Sequence, residues 1–286
     1  MYAVTGITGQ VGGVVARTLL ANGQRVRAVV RDAAKAAAWA QLGCEVAVAD
    51  LADAAALTQA FAGVDGVFFV LPPVFDPAPD FAEARRVLTA AREALAAARP
   101  GRLVSLSTIG AQATQSNLLS QHGLHEAAFG SLPLPVTFLR AGWFMENAVW
   151  DVAPARDTGV IPSFLQPLDK PVPMVATEDV GRTAAGLLQE AWTGRRIVEL
   201  ESARVSPNDL AAAFSRVLGR EVRTEAVPRA GWEALFASHG MKNPTPRARM
   251  LDGFNEGWID FEGDAASIRR GSVSLDQVLR ALVERA

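Results

Sequence analysis

The strongest chemical signal in the sequence is Thr5-Gly6-Ile7-Thr8-Gly9-Gln10-Val11-Gly12, in which glycines recur as Gly-x-x-Gly-x-x-Gly. It lies between a short apolar run, Tyr2 to Thr5, and a helix-like run from Gln10 to Ala21. Gly6 permits a tight exit from a strand, Gly9 lets backbone amides approach a ligand without a Cβ in the way, and Gly12 lets the helix pack closely. The helix N-terminus then offers Thr8, Gly9, Gln10, Val11 and Gly12 as a ring of N–H groups with partial positive charge. That is the chemistry of pyrophosphate binding. A turn built only for close packing is the alternative, but the strand-turn-helix setting favours a bound dinucleotide.

The residue after the second strand selects which dinucleotide. A carboxylate there suits the ribose hydroxyls of NAD, and a cation suits the 2′-phosphate of NADP. The run Val26-Arg27-Ala28-Val29-Val30 ends in Arg31, nineteen residues after Gly12, with no acid at 29, 30 or 31. Arginine can pair with phosphate and lay its planar guanidinium on the adenine. Lys35 offers a second cation, although both side chains are also ordinary candidates for solvated surface charge. Asp32 follows directly and weakens the cationic field, so the expectation is NADP(H), with NADPH preferred over NADH.

These groups need a scaffold, and the hydrophobic periodicity supplies one. Strand-like runs at Tyr2–Thr5, Arg25–Val30, Glu45–Ala49, Val67–Leu71, Leu103–Ser107 and Val136–Arg140 alternate with helical patterns. The clearest helix carries Phe81, Ala84, Leu88, Ala91 and Leu95 as one stripe. Asp32 and Asp53 stand where helix caps belong. Strands joined by crossover helices run parallel, so the fold class is α/β, a doubly wound parallel sheet. After Gly142 the texture changes. Pro154, Pro162, Pro167, Pro171 and Pro173 predict loops and short extended pieces, and five of six tryptophans lie beyond residue 140. The expectation is a dinucleotide-binding domain over residues 1–150 and a smaller substrate lobe over 151–286, with elements returning to the main sheet.

Bulk composition excludes several function classes. The 286 residues include 28 Lys and Arg against 30 Asp and Glu, a net charge of −2, which argues against nucleic acid as the main partner. No apolar run is long enough to span a bilayer, and the N-terminal apolar stretch is too short for a signal peptide. A single cysteine, Cys44, rules out an internal disulfide framework, so a cytoplasmic location is expected. Cys44 sits in a β run, where a buried structural role outweighs nucleophilic chemistry. No Gly-x-Ser-x-Gly elbow exists.

With the Thr5–Gly12 turn, Val29-Val30-Arg31-Asp32, Ala49-Asp50-Leu51, Glu178-Asp179-Val180 and Leu139-Arg140-Ala141-Gly142-Trp143-Phe144-Met145-Glu146-Asn147 in view, the chain resembles an NmrA-like atypical short-chain dehydrogenase/reductase. Within that group it looks similar to the NAD(P)H-dependent quinone, azo-dye and triphenylmethane reductases. The resemblance implies a Rossmann-type fold and roles for particular residues. Asp50 and Leu51 would border the adenine, although Asp50 is equally suited to a turn. Val70, Leu71 and Pro72 would pass along the ribose and pyrophosphate. Ser107 and Thr108 would sit near the nicotinamide, and Ala141, Gly142, Trp143 and Phe144 would hold its carboxamide through main-chain groups. His122, Phe144 and Asn147 would face the substrate. Taken singly, Trp143, Phe144 and Trp150 are better explained as core.

One departure changes the expected chemistry. Short-chain dehydrogenases carry a tyrosine and, four residues on, a lysine in the helix after the fifth strand. Here those positions fall at Gly123 and Ala127, and the only tyrosine is Tyr2. His122 is the candidate to replace the missing acid, since histidine titrates near neutrality. An exposed or hydrogen-bonded helix residue explains His122 as well, and His125 reads as structural. The His122-x-x-His125 spacing lacks a third ligand, so no metal is expected. The implied activity is hydride transfer from NADPH to a small electron-poor aromatic acceptor such as a quinone or azo dye. The alternative is a non-catalytic NADP(H)-binding redox sensor acting through a partner protein. A homodimer remains open.

Overall fold

A computed structural model describes residues 1–286. The first half is a run of strand-helix units: β1 (Tyr2–Val4), α1 (Gln10–Ala21), β2 (Val26–Val30), α2 (Ala37–Gln41), β3 (Glu45–Val48), α3 (Ala54–Phe61), β4 (Gly66–Val70), α4 (Ala82–Ala98), β5 (Leu103–Thr108), α5 (Ser120–Gly130) and β6 (Val136–Ala141). The chain then leaves the sheet through β7 (Trp143–Phe144), α6 (Val149–Asp157), β8 (Val160–Ser163) and β9 (Val172–Val175), and returns with α7 (Thr177–Gln189) and β10 (Arg195–Glu201). The remainder comprises β11 (Ala203–Val205), α8 (Pro207–Leu218), β12 (Arg223–Ala226), α9 (Trp232–Ser238), α10 (Thr245–Glu256), β13 (Arg269–Arg270) and α11 (Leu275–Arg285).

Eight strands form one parallel sheet in the order β3-β2-β1-β4-β5-β6-β10-β13. The chain winds outward from β1 to β3, then restarts beside β1 at β4 and winds the other way. That reversal places a crevice between the carboxyl ends of β1 and β4, where sheets of this kind take ligands. Both faces are covered, which is why the central strands read as unbroken apolar runs. On one face α1 and α7 bury Val11, Val15, Leu19, Val180, Ala184 and Leu187. On the other, α3, α4 and α5 bury Leu57, Phe61, Leu88, Leu95 and Phe129 against Phe69 and Phe138. Each fully buried phenylalanine contributes about 2–3 kcal/mol. A third core around Phe214, Trp232 and Phe254 holds the lobe together.

Local signals place the elements where expected. Asp53 accepts from the Ala56 amide and starts α3, and Asp32 does the same for Ala34. Ser206 and Asp209 form a reciprocal capping box with Pro207 in the first turn of α8. Two expectations need correction. Pro154 does not open a loop: it lies inside α6. A proline there leaves the Trp150 carbonyl without its donor, and Trp150 is 83% exposed, so water can reach that turn. The same exposure removes Trp150 from the core, where its size alone would put it. No helix is long and apolar enough to cross a membrane.

Candidate functional site

Because every strand of the sheet runs the same way, the segments singled out in the sequence share one edge. The Thr5–Gly12 turn follows β1, Arg31 follows β2, Asp50 and Leu51 follow β3, and Leu71 and Pro72 follow β4. Thr108 ends β5 and Ala141 ends β6, with Gly142, Trp143 and Phe144 just beyond.

The glycine turn is locked by contacts that only glycine allows. Gly6 has φ of +60°, and a Cβ on it would lie 2.3 Å from Val70 Cγ1. A Cβ on Gly12 would lie 2.3 Å from the Gly6 carbonyl oxygen, so α1 is seated directly on the turn. Buried Thr5 joins the two strands at the crevice, donating to the Phe68 carbonyl at 3.2 Å and accepting from the Val70 amide at 3.0 Å. No side chain caps α1, and Thr8, Gly9 and Gln10 are exposed. Its first-turn amides are therefore free to bind an anion.

Arg31 and Lys35 are exposed and form no ion pair. This contrasts with Arg27 on the same strand, which is held by Glu45 at 2.6 Å. Asp32 spends one oxygen on its cap and leaves Arg31 alone. Asp50 uses Oδ1 to hold the Ala52 amide at 2.8 Å, so the turn role is real and the other oxygen stays free. Leu51 is half-buried beside it. These residues can hold an adenosine phosphate on the β2–β3 side of the crevice, which leaves the β5–β6 side for the other end of a dinucleotide.

That second side is built from buried polar groups. Ser107, Arg140 and Glu199 stand in register on β5, β6 and β10. Ser107 Oγ donates to Glu126 Oε1 at 2.7 Å. Arg140 grips Glu126 with Nε at 2.9 Å and Nη2 at 2.8 Å, and its Nη1 reaches Glu262. Burial alone would lower the Arg140 pKa, but its bonds to Glu126 and Glu262 outweigh that and raise it. Thr108 is half-buried at the strand end. The Gly142 amide is committed to the Leu200 carbonyl at 2.9 Å, so that N–H is not free for a ligand. Trp143 packs edge-on against Phe254 at 5.2 Å, and Phe144 packs against the sheet core. Asn147 is exposed with no side-chain partner, whereas Glu146 caps α7 by accepting from the Thr177 amide at 2.9 Å.

The histidines behave differently from each other. His125 is fully buried, with Nε2 2.6 Å from Ser105 Oγ and its ring edge-on to Phe129 and Phe138. It is a core residue. His122 is half-buried with Nδ1 sealed from solvent and unpartnered. Desolvation pushes its pKa down to about 4, against a smaller opposing effect of Glu126. It is therefore neutral at physiological pH. At Gly123, the position of the missing tyrosine, a Cβ would meet the Ala111 carbonyl at 2.9 Å, so the β5–α5 loop fills the place of a larger side chain. No cluster of three or more His, Cys, Asp and Glu could hold a metal. Sequence reasoning missed Glu126, although it lies four residues after His122 on the same helix face. It also missed Asp151, which burial pushes up to about 7, and Glu262, for which the sequence carries no local signal.

A family model described as NAD(P)H-binding matches residues 6–191. Quinone oxidoreductase 2 of Escherichia coli K12 is 29% identical over 255 residues, covering 88% of this chain and 85% of that protein. A (4-alkanoyl-5-oxo-2,5-dihydrofuran-3-yl)methyl phosphate reductase of Streptomyces griseus is 32% identical over 254 residues, covering 88% and 84%. The Citrobacter triphenylmethane reductase, solved in complex with NADP(H), has a TM-score of 0.82 at 25% identity, covering 99% of this chain and 100% of that one.

Proposed function

The chain belongs to the NAD(P)H-binding family as an NmrA-like atypical short-chain dehydrogenase/reductase, and from that premise we propose that it is an NADPH-dependent reductase of conjugated, electron-poor acceptors. The acceptors suggested are quinones, azo compounds and triarylmethane dyes. When bound, the reduced nicotinamide supplies hydride. The Thr8–Gly12 turn holds the pyrophosphate through its free amides, the Gly9 N–H being bonded to the Gly6 carbonyl; Arg31 holds the 2′-phosphate, and Asp50 and Leu51 border the adenine. Val70, Leu71 and Pro72 follow the ribose and pyrophosphate. Ser107, Thr108 and the Ala141–Phe144 segment receive the nicotinamide half, and His122, Phe144 and Asn147 face the substrate.

One observation carries the choice of acceptor: the β5–β6 side offers no acid fit for protonating an alkoxide. His122 is neutral above about pH 4. Ser107 has its hydroxyl proton committed to Glu126, and a backbone carbonyl abuts Gly123. A simple ketone needs a proton as hydride arrives, and that requires a positioned donor. A quinone or cationic dye takes hydride into a delocalised system and is protonated later by water. The protein's work is then to place the ring and exclude solvent.

The test is NADPH consumption across quinones, azo dyes, triarylmethane dyes and simple ketones. Turnover of the conjugated acceptors and not of the ketones is expected. Tight NADP(H) binding with no turnover of any acceptor would overturn this reading in favour of a dinucleotide sensor.

A further inference from the structure

We infer that Arg140 is a positioning residue that sets the two walls of the space above β5 relative to each other. The inference rests on the proposed placement of the nicotinamide half over β5 and β6. Arg140 is 3% exposed, yet its guanidinium is shared among carboxylates from three separate parts of the chain. Glu126 comes from α5, Glu199 from β10 with Oε1 at 3.9 Å, and Glu262 from the segment after α10. Each carboxylate carries a wall with it.

Glu126 holds Ser107 at the end of β5 and lies one helical turn after His122. It therefore fixes the α5 wall. Glu199 accepts the Glu262 amide at 2.9 Å and the Gly263 amide at 2.8 Å, so the lobe segment is pinned by its backbone as well as by Glu262 itself. That segment packs against the β5–α5 loop. A Cβ on Gly110 would lie 2.7 Å from Ile259 Cγ2, and Gln112 Nε2 donates to the Asp260 carbonyl at 2.8 Å. One guanidinium thus ties α5 to the segment that packs on the β5–α5 loop.

Stability is a poor reason for this arrangement. Two buried carboxylates and a half-exposed third around one buried cation leave surplus negative charge, and buried ion pairs seldom outperform apolar packing. The fork geometry of arginine is what the site uses, since two nitrogens meet the two oxygens of Glu126. A lysine keeps the charge and loses that geometry.

The test compares Arg140→Lys, Arg140→Gln and Glu262→Gln with the wild type. NADPH dissociation is measured by fluorescence, kcat and KM with a quinone acceptor, and backbone hydrogen exchange over residues 120–126 and 259–263. Arg140→Lys is expected to bind NADPH within a few-fold of wild type while kcat falls by up to about 100-fold, the scale of an ångström-level misplacement. Glu262→Gln, altered at a half-exposed side chain, should show the same split more weakly, and Arg140→Gln should be worse than Arg140→Lys. Unchanged kcat in folded Arg140→Lys and Glu262→Gln overturns the inference, as does a loss of NADPH affinity that parallels kcat. If Arg140→Lys does not fold, Glu262→Gln decides alone. If the wild type reduces no acceptor, the proposed function fails and hydrogen exchange decides the inference. Faster exchange on both walls supports it, and a change confined to one wall or absent overturns it.

Discussion

The two halves of the carboxyl edge are built on different principles. The β1–β3 half works through backbone: a turn with a left-handed glycine, an uncapped helix N-terminus and two exposed cations without acid partners. The β5–β6 half works through buried side chains: a guanidinium among carboxylates, a histidine with a sealed nitrogen and a helix face pressed against a loop carbonyl. In the proposed function the first half has only to recognise phosphates, for which exposed amides and cations suffice. The second has, in the same reading, to place an aromatic ring against the nicotinamide, and such placement requires side chains that cannot relax.

The largest effect is expected at Gly12. If the β1–β3 half depends on backbone geometry, Gly12→Ala must damage nucleotide binding out of proportion to its size. A Cβ 2.3 Å from the Gly6 oxygen cannot be relieved by a side-chain rotation. The overpacking costs about 3 kcal/mol at the turn, equivalent to about a 100-fold weaker NADPH affinity by titration calorimetry. Binding within a few-fold of wild type would show that the turn yields, and the backbone account would fall.

Arg31→Ala sharpens the same half. Losing a charge-assisted contact worth about 1.5–3 kcal/mol should weaken NADPH by about 10- to 100-fold and leave NADH nearly unchanged. If the ratio of the two dissociation constants does not move, Arg31 does not read the 2′-phosphate.

This difference also explains what the sequence could reveal. Backbone devices leave local marks: glycine spacing, the end of the Val26–Val30 run, a capping aspartate. The alternation of strands and helices is equally local, and Ala84, Leu88, Ala91 and Leu95 are all buried along α4 as their spacing requires. Beyond the residues that the resemblance supplies, the β5–β6 side is legible only as a missing tyrosine and lysine. Its contacts join residues far apart in sequence, as with Arg140 and Glu262, and no periodicity encodes them. Trp150 and Pro154 were misread for a related reason, since their local tendency was overruled by where α6 meets solvent.

The histidines test the buried half through acid. Burial holds His122 near 4 and His125 well below 6.5, both lower than the ordinary value of 6.5. Each is neutral in the folded protein, so their contribution is complete above pH 6.5 and is lost as pH falls toward 4 and the unfolded chain takes up protons. His122→Gln should shrink the drop in melting temperature between pH 7.5 and pH 5 by about 2–4 °C. The same neutrality predicts a pH–kcat profile without an inflection near 6.5. An inflection there that vanishes in His122→Gln would restore His122 as an acid.

Asp151 provides the smallest and most selective test, because its sign is opposite. It makes no ion pair, and desolvation raises its carboxyl from 3.8 to about 7. Folding therefore favours the protonated form. The stability it contributes is present below pH 3.8 and is lost as pH rises through 7. Asp151→Asn keeps the shape and removes the titration, so it should raise the melting temperature by about 2 °C at pH 8 and leave it unchanged at pH 4. The half-buried position limits the size of the effect, since solvent reaches part of the side chain. Histidines that destabilise toward acid and an aspartate that destabilises toward base give the fold a stability optimum between about 5 and 7. The β1–β3 half, with its cations and amides already in water, should show no such dependence in its own local hydrogen exchange.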